Sequence, residues 1–299
     1  MGKRSCDQYV WEPCDDQGSS TSSSWSVQIL GTWSSTREPG NFNSPRGLRW
    51  HRNRLVVCDR ENHRVQILDE DNQYEAEIRF DSQFPNHFQP WDVAISDDDK
   101  YYITDIGNNQ IIVCYQNCEI IQVINLTVKV YGITIMAGFV WVTDCQEYSI
   151  LKYTLSGKFV AKAKLKGHDR VDGIAQYPYS IVSTVSNRLL VSDEYNNIIQ
   201  VLDSDMNYLD SYCTEGSRDG EVRLPRGIDL DSHGNIYICD WRNHRILKLR
   251  ENGEFICNLF EGEIASPNHI AVNGNGDRIA ITVGRSVSAS ENQIFLFSK

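Results

Sequence analysis

A five-residue motif returns six times along this chain of 299 residues, and no other property constrains the fold as strongly. Ser44-Pro45-Arg46-Gly47-Leu48 aligns with Gln89-Pro90-Trp91-Asp92-Val93 and Lys129-Val130-Tyr131-Gly132-Ile133. The column continues through Tyr177-Pro178-Tyr179-Ser180-Ile181, Leu224-Pro225-Arg226-Gly227-Ile228 and Ser266-Pro267-Asn268-His269-Ile270, with steps of 40 to 48 residues. A second column follows each: Leu55–Asp59, Tyr101–Asp105, Val140–Asp144, Leu189–Asp193 and Ile236–Asp240. In its sixth member, Arg278–Val283, the Asp is missing.

Each unit reads as four short strands. In the first these are Gly47–Trp50, Arg54–Cys58, Arg64–Leu68 and Tyr74–Phe80, β-branched or aromatic runs separated by Asp, Asn and Gly turns. No stretch sustains a helical period. Four strands every ~40–48 residues is the spacing of a β-propeller, so the expected fold is all-β with six blades. Length alone suggests about two domains of ~100–200 residues, but the repeat makes 25–299 a single ring. The sixth unit has only three strands, His269–Val272, Arg278–Val283 and Gln293–Ser298, and a spare strand, Val27–Trp33, precedes the first unit. Pairing the two ends would close the ring and cover an open edge. Residues 1–24, with the Ser/Thr tract Ser19–Ser24, read as a disordered lead-in.

The strings Asp59-Arg60-Glu61-Asn62-His63-Arg64-Val65 and Asp240-Trp241-Arg242-Asn243-His244-Arg245-Ile246 resemble the signature of NHL repeats. Partial copies stand at Asp105–Ile111 and Asp193–Ile199, while the sixth unit departs most, with Ser286–Ser290 inserted. NHL repeats form six-bladed propellers, often at the C-terminus of tripartite-motif (TRIM-NHL) proteins. The sequence is similar to such a domain without the RING, B-box and coiled coil. The resemblance implies one of two roles: an RNA-binding repressor of messenger RNAs, or an adaptor bringing substrates to a ubiquitin ligase.

Catalysis finds little support in the residues. There is no nucleophile elbow, phosphate loop or HExxH. One Asp per repeat at one turn is what a repeat architecture requires, its carboxylate accepting turn N–H groups. Arg64 and Arg245 are expected to pair with such carboxylates, and Cys58 and Cys239 to be small buried hydrophobes. His63, His244 and His269 fall on adjacent blades, but turn histidines are commonplace, so no metal and no cofactor is assigned. The nine cysteines form no CxxC pair, and reduced thiols in a cytoplasmic protein are expected. No apolar run approaches the ~18–20 residues of a membrane helix.

The turn entering each first strand and the turn leaving each second strand open on one propeller face. Blades five, six and one bring Arg226, Trp241, Arg242, His269, Arg46, Arg60 and His63 to it, and blade six adds Asn268. Few acids apart from Glu61 stand beside that arc. Blades two to four bring Trp91, Tyr131, Tyr148, Tyr179 and Tyr195, with Glu147 and Glu194 interleaved. Arginine forks hold phosphates and stack on bases, and aromatic faces accept unpaired bases at roughly 1–3 kcal/mol each. The expected ligand is short single-stranded RNA, bound by a monomeric domain. The same residues also dominate protein–protein hot spots, so a protein partner on that face is the alternative. A net charge of −11 excludes a generic nucleic-acid coat and makes the local placement of arginines decisive.

Overall fold

A computed structural model describes residues 25–31, 37–80, 83–84, 87–166, 177–283 and 293–299. The expected lead-in at 1–24, Trp33 of the spare strand and the insertion at 286–290 lie outside the described residues.

Six four-stranded antiparallel sheets make the fold. Blade one is β2 (Pro45–His51), β3 (Arg54–Asp59), β4 (Arg64–Leu68) and β5 (Tyr74–Arg79). Blade two is β6 (Pro90–Ile95), β7 (Tyr101–Asp105), β8 (Gln110–Cys114) and β9 (Ile120–Asn125). Blade three is β10 (Val130–Met136), β11 (Phe139–Asp144), β12 (Ser149–Thr154) and β13 (Phe159–Lys164). Blade four is β14 (Pro178–Ser183), β15 (Leu189–Asp193), β16 (Ile198–Leu202) and β17 (Tyr208–Tyr212). A small parallel pair, β18 (Thr214–Glu215) with β19 (Glu221–Val222), leads to blade five. That blade is β20 (Pro225–Leu230), β21 (Ile236–Asp240), β22 (Arg245–Leu249) and β23 (Phe255–Leu259).

Blade six joins the two ends of the chain. Its inner strands are β24 (Pro267–Val272), β25 (Arg278–Val283) and β26 (Ile294–Ser298), and its outer strand is β1 (Ser26–Leu30). β1 runs antiparallel to β26, with Ser26 opposite Ser298 and Leu30 opposite Ile294. The first strand of every blade touches that of the next, and β24 returns to β2. The ring is closed as the spare strand implied.

Burial follows the strand order. The second and third strands of blade one are almost wholly buried, whereas outer strands such as β13 alternate between half-buried and exposed residues. The buried apolar residues fall into one cluster per blade–blade interface. The core is therefore six wedges of packed side chains around an axis. That axis belongs to the first strands alone, and their turns form the mouth of the channel.

Candidate functional site

A repeated backbone irregularity aims residues at the axis. Pro45 pairs with Asp59, but the next registered pair is Leu48 with Val57. The same break follows Pro90, Val130, Pro178 and Pro225. A bulge of this kind re-aims side chains and leaves backbone groups without ladder partners. In four blades a first-strand N–H finds the small residue next to last in the second strand. Thr104, Thr143, Ser192 and Thr282 accept through Oγ from the N–H of Asp92, Gly132, Ser180 and His269, at 2.9 to 3.1 Å. These small residues thus have a polar task at the bulge.

The Asp column locks the turns, as expected. One oxygen of Asp59 accepts from the Asn43 N–H at 2.7 Å, and the other accepts from Asn62, Arg64 and Gln66. Asp240 repeats the pattern with the Arg223 N–H, Asn243 and Arg245. Arg64 and Arg245 are buried, each 2.9 or 2.8 Å from the carboxylate of its own blade. Gln110 takes the arginine's place in blade two, whereas blade four has Ile198 there and keeps the bond from Gln200, the counterpart of Gln66. Ser149 and Lys162 take that place in blade three.

At the mouth, the residue after each Pro-column position gathers around the axis. Trp91 stacks on Tyr131 at 4.2 Å between ring centroids, and the Arg46 and Arg60 guanidinium carbons lie 5.2 and 5.7 Å from the Trp91 ring. Arg226 sits between Tyr179 and Trp241, at 5.3 and 4.3 Å. Arg242 lies 5.7 Å from Trp241 on the exposed side. Asn268 Oδ1 accepts from the Tyr179 hydroxyl at 2.6 Å and from Arg226 at 3.3 Å. His269 lies 5.1 Å from the Tyr179 ring.

Three expectations need correcting here. Trp91, Tyr179, His269 and Asn268 are 7%, 5%, 3% and 0% exposed, so they plug the channel and offer no open ring or amide to a base. Arg226 is not surrounded by free surface: its Nε meets Glu194 Oε1 at 2.8 Å, an acid from the neighbouring blade that the sequence put in the aromatic arc. His63 turns away from the axis, its Nδ1 2.9 Å from the Phe88 carbonyl and its ring stacked on His87.

Two groups that sequence reading left out of the site belong to it. Tyr177 links Tyr131 to the exposed Tyr195, at 6.3 and 5.9 Å between centroids, making an aromatic path outward over blades three and four. Arg223 is exposed on the loop that caps Asp240, with no ion pair among the described residues. Both stand one or two residues before a Pro-column proline, and that offset was the available signal.

The electrostatics of the mouth are unbalanced. Arg60 pairs with Glu61 at 2.7 Å and Arg226 with Glu194, while Arg46 has no ion pair among the described residues. Burial, with Arg60 and Arg226 nearby, lowers the Arg46 pKa against the pull of Tyr179 and Glu61. Burial, then Arg46 and Arg226, hold the His269 imidazole well below its usual value, so it is neutral at pH 7. Burial raises Glu194 despite Arg226. Nε of Arg46, Nε of Arg60, Nδ2 of Asn268 and Nε2 of His269 are buried and lack hydrogen-bond partners.

Among the described residues no cluster of three or more His, Cys, Asp or Glu is spaced to hold a metal. His244 accepts from the Ser266 N–H and does not join His63 or His269. Cys58 and Cys239 are buried free thiols whose pKa burial raises, which suits hydrophobes and not nucleophiles. Cys257 is disulfide-bonded, a departure from uniformly reduced thiols. Among the described residues no helix is long and apolar enough to cross a membrane.

The NHL repeat family matches residues 42–68 and 223–249, which hold the inner strands of blades one and five and their Asp-led turns. The chain carries NHL repeats in a six-bladed propeller. Similar solved structures include virginiamycin B lyase of Staphylococcus aureus, 16% identical with a TM-score of 0.65 over 92% of this chain and 99% of that one. A Bacteroides thetaiotaomicron protein of unknown function is 13% identical, with a TM-score of 0.70 over 92% and 76%. The PQQ-bound aldose sugar dehydrogenase of Streptomyces coelicolor is 15% identical, with a TM-score of 0.59 over 92% and 98%. At such identities the likeness shows the propeller fold alone. The likeness to TRIM proteins rests on the NHL repeats, and the neighbouring structures do not extend it.

Proposed function

We propose that this NHL propeller is a non-enzymatic recognition domain that binds short single-stranded RNA across the mouth of its channel. The observation that carries this reading is a surplus of arginine. Arg46, Arg223 and Arg242 have no carboxylate partner among the described residues, and Arg60 and Arg226 have one each. Arginine at this density favours an anionic ligand, because guanidinium forks bind phosphate bidentately. The path of Tyr131, Tyr177 and Tyr195 supplies sequence-tolerant faces beside it, which unpaired bases need and duplex DNA does not. The roles differ from the sequence expectation. Trp91 and Tyr179 orient the arginines, while Tyr177, Tyr195 and Trp241 are the rings that meet bases.

The test is fluorescence anisotropy with labelled oligoribonucleotides across a salt series, comparing wild type with Arg223→Glu/Arg242→Glu. Both side chains lie outside the buried plug, so the double variant is expected to fold. Salt-dependent binding that the double variant loses supports the reading. Absence of RNA binding at micromolar protein overturns it and leaves the face to a protein partner.

A further inference from the structure

We infer that two copies of this chain associate through the outer flanks of blades three and four. A two-fold axis relates them, so that the basic flank of each meets the acidic flank of the other. Such a dimer stands apart from the mouth and does not depend on RNA, and it departs from the monomeric domain expected from the sequence.

Charge on the outside of the ring is sorted by blade. The outer segment of blade three, residues 155–166, carries Lys158, Lys162, Lys164 and Lys166 and no acid. That of blade four, residues 203–212, carries Asp203, Asp205 and Asp210 and no Lys or Arg. The two flanks adjoin. Lys152 Nζ donates to the Ser204 carbonyl at 3.0 Å, and Lys166 Nζ lies 4.1 Å from the centre of the Tyr208 ring. Lys162 is taken by Asp144 and Glu147. Lys158 and Lys164, and likewise Asp205 and Asp210, are exposed and have no ion pair among the described residues.

The same flanks bare apolar surface. Leu155, Phe159, Val160 and Leu209 are 39%, 52%, 44% and 46% exposed, and apolar side chains gathered in this way mark a contact surface. β13 and β17 each end their sheets, with no strand on the outer edge. Edge lysines usually keep copies of a protein apart, since like charges meet when like edges approach. Here the neighbouring edge has the opposite sign, so that protection fails in one arrangement: a two-fold axis sets lysine opposite aspartate twice. A two-fold contact must be self-complementary, and a patch whose halves differ in sign meets that condition. A partner of single sign would satisfy one flank and repel the other, whereas a second copy satisfies both. At about 0.15 M salt, charges more than about 8 Å apart are screened. The net charge of −11 then opposes association weakly while pairs in contact attract.

The experiment is sedimentation equilibrium of the full chain, at tens of micromolar, in about 0.15 M and about 1 M salt. Wild type is expected to approach twice the 34.2 kDa of one chain at the lower salt, with Kd rising about tenfold at the higher. Lys158→Glu/Lys164→Glu turns the basic flank acidic, and Asp205→Lys/Asp210→Lys turns the acidic flank basic. Each variant alone is expected to be a monomer with the Tm of wild type, because the substituted side chains are exposed. Mixed in equal amounts they recover the dimer, since every acidic flank again meets a basic one. Wild type that is monomeric at both salts overturns the dimer, and so does a mixture of folded variants that stays monomeric. Variants that dimerise alone place the contact elsewhere and overturn it as well. Masses that climb beyond a dimer overturn the two-fold axis, because a contact that does not close grows into an open chain.

Discussion

Arg226 and Glu194 meet across a blade boundary, Nε to Oε1 at 2.8 Å, although they stand 32 residues apart. Glu194 is the buried acid against an arginine at the mouth, and its carboxylate opposes any anionic ligand there. Glu194→Gln keeps the shape and removes the charge. We expect it to tighten RNA binding about three- to tenfold and to steepen the salt dependence, by roughly 0.7 for each additional phosphate neutralised. Anisotropy titrations at two salt concentrations check this. Weakened binding would show that Glu194 positions Arg226 more than it repels the ligand.

The two halves of the aromatic set should separate in mutagenesis. Trp91 is buried and stacked on Tyr131, whereas Tyr195 is 40% exposed. Trp91→Ala is expected to cost about 3–5 kcal/mol of stability, the usual range for a buried large aromatic. Tyr195→Ala is expected to leave the unfolding midpoint within a degree or two and to weaken RNA binding by about 1–3 kcal/mol. Denaturant unfolding and anisotropy on the same two variants provide the contrast.

The Asp-led turns differ in how much stability they hold. Arg64 is buried against Asp59 and also donates to the carbonyls of Arg37, Glu38 and Asn41, tying down the segment before β2. Arg64→Met strands a buried carboxylate and is expected to cost about 3–5 kcal/mol. Lys162 meets Asp144 from a partly exposed position, 28% accessible, so Lys162→Met should cost only about 1 kcal/mol. Urea denaturation of both variants tests the ranking.

Gly47 marks the closest approach between two blades. A Cβ there would lie 2.6 Å from the Asp92 Cα, a backbone atom that cannot swing aside. Gly132 and Gly227 meet Ser180 and His269 in the same way. Gly47→Ala is expected to lower stability by about 1–3 kcal/mol, the cost of overpacking, read as a fall in Tm. A neutral effect would mean that the ring widens without strain.

Asp92 links stability to pH. Burial raises its carboxyl from 3.8 to about 6, against Arg49 and the N–H groups of Val93 and Ile133, with Asp229 adding to the rise. Between roughly pH 4 and 6 the folded chain holds a proton that the unfolded chain has released. Stability therefore falls as pH rises through that window and levels off above it, by on the order of 3 kcal/mol. Asp92→Asn should flatten this slope in Tm measured from pH 4 to 7. An unchanged slope would assign the pH dependence to other carboxyls.

The ring and the location of the mouth were legible because a repeat places equivalent residues at equivalent turns. Pro45 and Asp59 are cross-strand partners, and so are Pro225 and Asp240. What escaped was depth along the axis. An aromatic at the position after the Pro column reads identically whether it crowns the rim, as Tyr131 partly does, or plugs the channel, as Trp91 does. The Arg226–Glu194 pair escaped for a related reason. Which acid meets which arginine depends on the angle between blades, and no local pattern encodes that angle. The polar task of Thr104 and Ser192 escaped because the bulge whose N–H groups they receive becomes visible only once register is known.

The pairing of Ser26 with Ser298 has a consequence for synthesis. Five blades take their four strands from consecutive stretches of chain and have all their residues once those stretches have been made. Blade six cannot, because its outer strand precedes blade one along the chain and its neighbour β26 follows blade five. While the chain grows, β1 has no partner and the flanks of blades one and five stay uncovered. The closing step joins segments 272 residues apart, a loop closure of the kind that slows folding. An inhibitor or chaperone acting on the growing chain would meet an open arc of blades. The mouth, and any ligand site on it, comes into being only when the final strand docks.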